Sequence, residues 1–223
     1  PTSTLNLWVQ GSRWIAAFWS SSFLPFCIIM LINHHFSAKR LRKNLRQCRR
    51  ALNHYQQRKA AKQLAHRLSK TPVFQHAEKI GFYQASDGEI SPHELLKLAY
   101  ADGKSCYLPV LRRFPKAQLG FVKVAPDSRL HRHRFGMKEP KFGRRLFIYQ
   151  LDVVCMPLVG FDDKGNRLGM GGGFYDRSLA HHKNPRLIKL GLAHDCQQVD
   201  VLPTNTWDIA LTGVLTPTQY LQF

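Results

Sequence analysis

The chain has 223 residues, 44% of them hydrophobic and 21% charged, which excludes wholesale disorder, a collagen-like fibre and a polytopic membrane protein. Its 33 Lys+Arg against 14 Asp+Glu give a net charge of +19, and residues 1–77 hold 13 of those basic residues and no carboxylate. Such a field draws polyanions, whether nucleic acid, anionic lipid or a phosphorylated or polycarboxylate substrate, and does not by itself choose among them.

In chain order, residues 14–32 form an uncharged run of 19, near the length a membrane helix needs, but broken by three serines and Pro25. Three readings stand: translation starting at Met30 with a dispensable extension before it, a membrane or export signal, or an ordered element. Residues 1–37 are therefore expected to be an extension outside the main domain, and 38–223 to form one domain.

Residues 39–68 read as helix, with apolar positions Leu41, Leu45, Cys48, Ala51 and Leu52, then Ala60, Ala61, Leu64, Ala65 and Leu68. Asn53 and Gln56 suit a capping box, which predicts a break into two helices there. Thr71-Pro72 ends the second. A strand is predicted over 79–85, a turn at Asp87-Gly88, and a helix from Ser91-Pro92-His93-Glu94 to about residue 101, with Ser91 as cap and Glu94 reaching back. Strands follow at 105–111 and 120–124. Residues 125–145, rich in basic residues and interrupted by Pro and Gly, read as loop. Residues 151–158 are near-continuously apolar, as a central strand covered on both faces requires. A glycine-rich loop, a helix over 174–181 and strands at 186–193 and 213–216 complete an α/β pattern, with a mostly parallel sheet and helices on both faces.

The five cysteines, at 27, 48, 106, 155 and 196, are odd in number, widely spaced and without a C-x-x-C. This reads as packing or surface thiols in a reducing cytoplasm. The histidines at 34, 35, 131, 133, 181 and 182 lack metal-ligand spacing and read as solvent-facing.

The chemistry concentrates in residues 166–177, NRLGMGGGFYDR. The loop leaves a buried strand at its carboxyl end, where open α/β sheets bind ligands. Gly169, Gly171, Gly172 and Gly173 free backbone N–H groups to close around an anion. Arg167 and Arg177 can clamp phosphate oxygens, and Asp176 can hold Mg2+ against them. No Walker loop and no dinucleotide fingerprint is present. A plain glycine turn with a surface Asp–Arg pair is the alternative for these residues.

The run 167–177, preceded by PLVGFDDKGN, resembles the signature of the 5-formyltetrahydrofolate cyclo-ligase (methenyltetrahydrofolate synthetase) family. LRKNLRQCRRAL near the amino end, SDGEISP at 86–92, GKSCYLPVL at 103–111, KEP at 138–140 and GLAHDCQQVDVLPTNTWD at 191–208 fit the same family in order. The resemblance implies a three-layer α/β/α fold of the NagB/RpiA/CoA-transferase-like kind. It implies an ATP- and Mg2+-dependent ligase that converts 5-formyltetrahydrofolate to 5,10-methenyltetrahydrofolate by phosphorylating the formyl oxygen, with ADP and phosphate released.

By the same resemblance ATP lies on Lys39 and Arg42 of the first basic helix and on Arg167, Leu168, Gly169, Met170, Gly171, Gly172, Gly173, Phe174 and Tyr175. In the family a basic residue stands four before this arginine; here Ala38 holds that place and Lys39 is one step on. The folate meets Glu89 and again Met170, Gly171, Gly172, Gly173 and Phe174. Mg2+ falls to Asp176 and Asp208, and Arg167, Tyr175, Asp176 and Arg177 carry the transfer. A cytoplasmic monomer is expected, without specific nucleic acid and without a membrane unless residues 14–32 anchor it. The basic stretch 129–134 is expected to meet the folate's glutamate tail. The rival reading is a basic nucleic-acid-binding protein.

Overall fold

Ser37 caps the first helix, α1 (Ala38–Ala51), its hydroxyl accepting from Arg40 N. The fold is that of a computed structural model, which describes residues 37–112, 117–132, 138–140, 142–180 and 184–223. The chain divides into Pro1–His35 and Phe36–Phe223. The first unit, with the uncharged run 14–32, Met30, Cys27, His34 and His35, lies outside the described residues, as do His133, Arg134, His181 and His182.

Asn53 and Gln56 form the expected capping box at the head of α2 (His54–Ser69): Gln56 N donates to Asn53 Oδ1 and Asn53 N to Gln56 Oε1, both at 2.9 Å. Ala60, Ala61, Leu64, Ala65 and Leu68 are all buried, as their spacing predicts. On α1 the stripe differs. Leu41, Leu45 and Arg49 are its buried residues, while Cys48 is exposed. The i, i+4, i+8 spacing is kept, and an arginine occupies the third place because polar partners await it there. Thr71-Pro72 does more than end α2. Thr71 accepts from Phe74 N and caps a short helix α3 (Pro72–His76), with proline in the first turn.

The strands are β1 (Lys79–Gly81), β2 (Ser105–Leu111), β3 (Leu119–Val124), β4 (Leu130–Arg132), β5 (Lys138–Pro140), β6 (Arg145–Phe147), β7 (Val153–Pro157), β8 (Gly160–Phe161), β9 (Arg167–Leu168), β10 (Ile188–Leu192), β11 (Gly213–Leu215) and β12 (Tyr220–Gln222). Two further helices are α4 (His93–Ala101) and α5 (Phe174–Leu179). Eight strands form one sheet in the order β12-β11-β10-β7-β1-β2-β3-β6. The five from β11 to β2 run parallel; β12, β3 and β6 are antiparallel additions at the edges.

Several boundaries moved from the sequence reading. The strand expected over 79–85 stops at Gly81, and the helix expected to reach 181 ends at Leu179. Ser91 does not cap α4 and Glu94 does not reach back. Ser91 Oγ accepts from His93 N, and Glu94 pairs with Lys97 at 3.1 Å, because Pro92 takes the cap position. The predicted loop 125–145 holds β4 and β5, paired antiparallel, and the start of β6. Their partners lie across the ribbon or in the main sheet, which no local pattern announces.

One face of the sheet is covered by α2, α3 and α4, with Leu64, Phe74 and Leu95 against Phe82, Leu108, Cys155 and Leu192. The other face is covered less by helix than expected. The six-residue α5 supplies Leu179, and the segments bearing Ile148, Leu187 and Leu211 complete the cover over Phe121, Val154 and Met156. Cys106 and Cys155 are buried in this core, and burial pushes the Cys106 thiol up to about 12, as expected of packing cysteines.

From β1 the chain moves outward to β2 on one side, and it later returns to place β7, β10 and β11 on the other. The topological switch point is therefore between β1 and β7, where their carboxyl ends diverge and leave a crevice. Asp152 fastens the opposite ends of these strands, its Oδ2 accepting from Glu78 N at 2.9 Å and Lys79 N at 2.8 Å.

Candidate active site

The crevice is a cavity of about 730 Å3. The segment after β1 brings Tyr83, Gln84, Ser86 and Glu89 to it, and the end of β2 brings Val110 and Leu111. The β8–β9 hairpin, which follows β7, delivers residues 167–177, and the segment after β10 contributes Pro203, Thr204, Asn205, Trp207 and Asp208.

Asp162, fully buried, shapes the hairpin that aims the glycine loop. Its Oδ1 accepts from Lys164 N and Asn166 N, and its Oδ2 from Asn166 Nδ2 at 2.8 Å and from Leu202 N at 3.1 Å. One carboxylate thus ties the tight turn to the segment on the far wall. Past β9, Gly171 at φ 97° and Gly173 at φ 62° hold left-handed conformations that other residues adopt only with strain. Arg42 Nε donates to Gly169 O at 2.8 Å, and Arg177 donates to Gly172 O and to Ala117 O. With these carbonyls turned to the arginines, the loop is braced from both sides.

Arg167 is 5% exposed in its side chain and pairs with Asp176 at 2.8 Å. Its Nε is a buried donor with no partner. Asp176 Oδ1 also accepts from Ile209 N at 3.4 Å, which ties the glycine loop to the far wall. Tyr175 lies beneath the Arg167 guanidinium, 5.8 Å from its ring centre. Burial pushes its phenol well above the ordinary value, and Arg167 only partly opposes this. Glu89, 8% exposed in its side chain, accepts from Ser86 N at 3.0 Å and from the Ser86 hydroxyl. Burial raises its carboxyl above the usual range, and those hydrogen bonds and Arg49 pull the other way.

Of the residues that the sequence singled out, Arg42, Glu89, Arg167 through Arg177 and Asp208 all stand on this wall. Lys39 does not. It is exposed, and Ala38 lines the cavity in its place, since one residue is a turn of about 100° on a helix. Asp176 and Asp208 face the same cavity. Two carboxylates suit Mg2+, which keeps several waters and takes one or two carboxylates together with phosphate oxygens. Among the described residues no group of three His, Cys, Asp or Glu forms a closed metal cage.

Arg46, Arg49, Arg50 and Asp87 escaped the sequence reading. Arg49 is fully buried. Its Nε donates to Asp87 O at 2.8 Å, Nη1 to Leu158 O at 3.0 Å and Nη2 to Asp87 Oδ2 at 2.8 Å, with Glu89 at 3.7 Å and Met170 Sδ at 3.8 Å. Arg46 and Arg50 hold the same Asp87 carboxylate. Burial alone would raise that carboxyl, but the hydrogen bonds from Arg46, Arg50 and Arg49 outweigh it and hold it well below the usual range. The signal was present: Arg42, Arg46 and Arg49 share one helix face. Part of the basic excess that suggested nucleic acid is thus internal scaffolding. Burial also lowers the His194 imidazole, despite a hydrogen bond to the Gly88 backbone, and its Nε2 has no partner. Among the described residues no helix is long and apolar enough to cross a membrane.

A mixed α/β sheet whose switch-point crevice gathers a glycine loop, a buried arginine and several carboxylates has the build of an α/β enzyme. The 5-formyltetrahydrofolate cyclo-ligase family matches residues 35–217. The 5-formyltetrahydrofolate cyclo-ligase of Haemophilus influenzae is 40% identical over 179 residues, covering 79% of this chain and 96% of that protein. That of Escherichia coli is 41% identical over 177 residues, covering 78% and 97%. Among solved structures, the 5,10-methenyltetrahydrofolate synthetase of Aquifex aeolicus superposes with a TM-score of 0.72 at 28% identity, covering 83% of this chain and 92% of that one. The chain belongs to the 5-formyltetrahydrofolate cyclo-ligase family and is a ligase of folate metabolism.

Proposed function

We propose that the enzyme uses ATP and Mg2+ to convert 5-formyltetrahydrofolate to 5,10-methenyltetrahydrofolate. The observation that carries this reading is the buried Arg167 on the cavity wall, whose Nε–H has no acceptor. A buried guanidinium donor left unpaired expects an anionic oxygen, and a phosphate supplies several.

The γ-phosphoryl group passes from ATP to the formyl oxygen, and the neighbouring aniline-type nitrogen of the folate attacks the activated carbon. The nitrogen gives up its proton, the C–O bond breaks and phosphate leaves. Such a transfer needs positioning and charge neutralisation more than covalent help from the protein. Arg167 and the N–H groups of the glycine loop hold the phosphates, Arg42 and Arg177 keep that loop in shape, and Tyr175 hydrogen-bonds the transferring group. Glu89, fixed by Ser86, orients the folate. Asp176 and Asp208 would hold Mg2+, which when bound neutralises charge on the phosphate oxygens. The basic stretch 129–134, by its charge, meets the folate's polyanionic glutamate tail.

The test is optical. The methenyl product carries a conjugated amidinium that absorbs in the near ultraviolet, and the substrate does not. Purified protein with ATP, Mg2+ and 5-formyltetrahydrofolate is expected to give a rising absorbance that chelation of Mg2+ stops. Asp176→Ala and Arg167→Ala are expected to abolish it while circular dichroism stays native. Wild-type rates from either variant would defeat the site assignment.

A further inference from the structure

Among the described residues four aromatic side chains line the cavity, and three of them are already engaged. Tyr83 is buried and its hydroxyl donates to Ile90 O at 2.6 Å. Phe174 lies under the Arg177 guanidinium at 5.5 Å, and Tyr175 under that of Arg167 at 5.8 Å. The fourth, Trp207, is 67% exposed.

The indole is not bare because its backbone is slack. Asp208 Oδ2 accepts from Asn205 N at 2.8 Å and from Asn205 Nδ2 at 3.2 Å, and Asp208 N donates to Asn205 O at 3.1 Å. These bonds close a tight turn around Trp207. Directly after it, Ile209 N donates to Asp176 Oδ1 and Leu211 N to Gly165 O at 2.9 Å. The turn is therefore pinned to the glycine loop on one side and to the β8–β9 hairpin on the other. It presents the indole at the cavity, one residue from Asp208.

A flat apolar ring exposed beside charged groups is a platform for another planar ring. We propose that the Trp207 indole is the stacking surface of this site and takes one face of a planar nitrogen heterocycle of a bound substrate. The inference rests on the reaction proposed above, because both of its substrates carry such a ring: the adenine of the nucleotide and the pyrimidine half of the folate's pterin. Trp207 positions and selects; it has no part in the bond changes.

The experiment compares wild type with Trp207→Phe, Trp207→Leu and Trp207→Ala in the full chain. Calorimetry measures uptake of Mg2+-ADP alone and of 5-formyltetrahydrofolate alone, and turnover gives kcat and KM for each substrate. Replacing a stacking aromatic by alanine is expected to weaken one ligand about tenfold or more. The corresponding KM should rise by a similar factor with kcat little changed. Trp207→Phe keeps a ring and should stay close to wild type. Trp207→Leu keeps apolar bulk without a π-face and should behave as the alanine variant does. Melting temperatures should not move, because the ring is exposed. A shift confined to ADP and ATP assigns adenine, and one confined to the folate assigns the pterin. Unchanged affinity for both ligands in Trp207→Ala, or wild-type behaviour of Trp207→Leu, overturns the inference. Absence of turnover by the wild type would instead refute the proposed reaction, and the calorimetric comparison would still decide the role of Trp207.

Discussion

Replacing Arg49 by methionine keeps most of the volume of a fully buried side chain and removes its charge and its donors. Removing one partner from a buried ion pair typically costs about 3–5 kcal/mol, but the surroundings of Arg49 narrow that range. Leu158 O would keep a bond, since Gln197 Nε2 also donates to it at 2.8 Å. Asp87 would keep Arg46 at 2.7 Å, and Arg50 as well. What remains exposed to the loss is Asp87 O, an acceptor left without its guanidinium, and Glu89, a largely buried carboxylate deprived of the cation 3.7 Å away. At about 1–2 kcal/mol for each, the sum is about 3 kcal/mol, or a fall of about 6–12 °C in melting temperature for a domain of this size. Thermal unfolding followed by circular dichroism measures it. Because Glu89 carries part of the penalty, the double variant Arg49→Met/Glu89→Gln should be more stable than the sum of the single changes implies. Arg49→Lys should recover only part, because an ammonium cannot reproduce the fork to Asp87 O, Asp87 Oδ2 and Leu158 O. A melting temperature for Arg49→Met within about 2 °C of wild type would refute the argument.

Two more outcomes follow from the same geometry. His194 has a lowered folded-state pKa, so the unfolded chain takes up the proton first, near pH 6.5. Its contribution to stability is full above that value and drains as pH falls below it. Melting temperature should therefore drop between pH 7.5 and 5.5 in the wild type and drop less in His194→Leu; equal slopes would remove His194 from the account. Gly173→Ala forces a left-handed alanine, and its Cβ would meet Arg177 Nη1 at 2.7 Å. It should cost about 1–2 kcal/mol of stability and raise the KM for ATP as the brace on Gly172 O loosens. Gly173→Asn, which tolerates the left-handed region, should be milder in both measurements.

Much of this protein could be read without coordinates because the relevant information is local. The capping box at Asn53 and Gln56, the buried face of α2 and the whole of β2 follow from spacing within a few residues. The glycine loop is legible for the same reason: its eleven residues are contiguous, and their chemistry needs no distant partner to be recognised. Some details are settled by the fold even between near neighbours: the basic segment 125–145 pairs β4 with β5, Pro92 takes the cap position that Ser91 offers, and one step of helix register puts Ala38 rather than Lys39 on the cavity wall.

Local periodicity and motif chemistry thus determined the main helices, most of the strands and the glycine loop as the place where the chemistry gathers, since each depends on neighbours within a turn or a pleat. Only the folded chain decided which arginines leave the solvent. Arg49 reads as one more basic residue until Asp87, 38 positions away, and Leu158, 109 positions away, close around it. The role of Trp207 came the same way. A tryptophan in a sequence promises burial, and it took the pinned turn beside Asp176 to show this one held open at the mouth of the cavity.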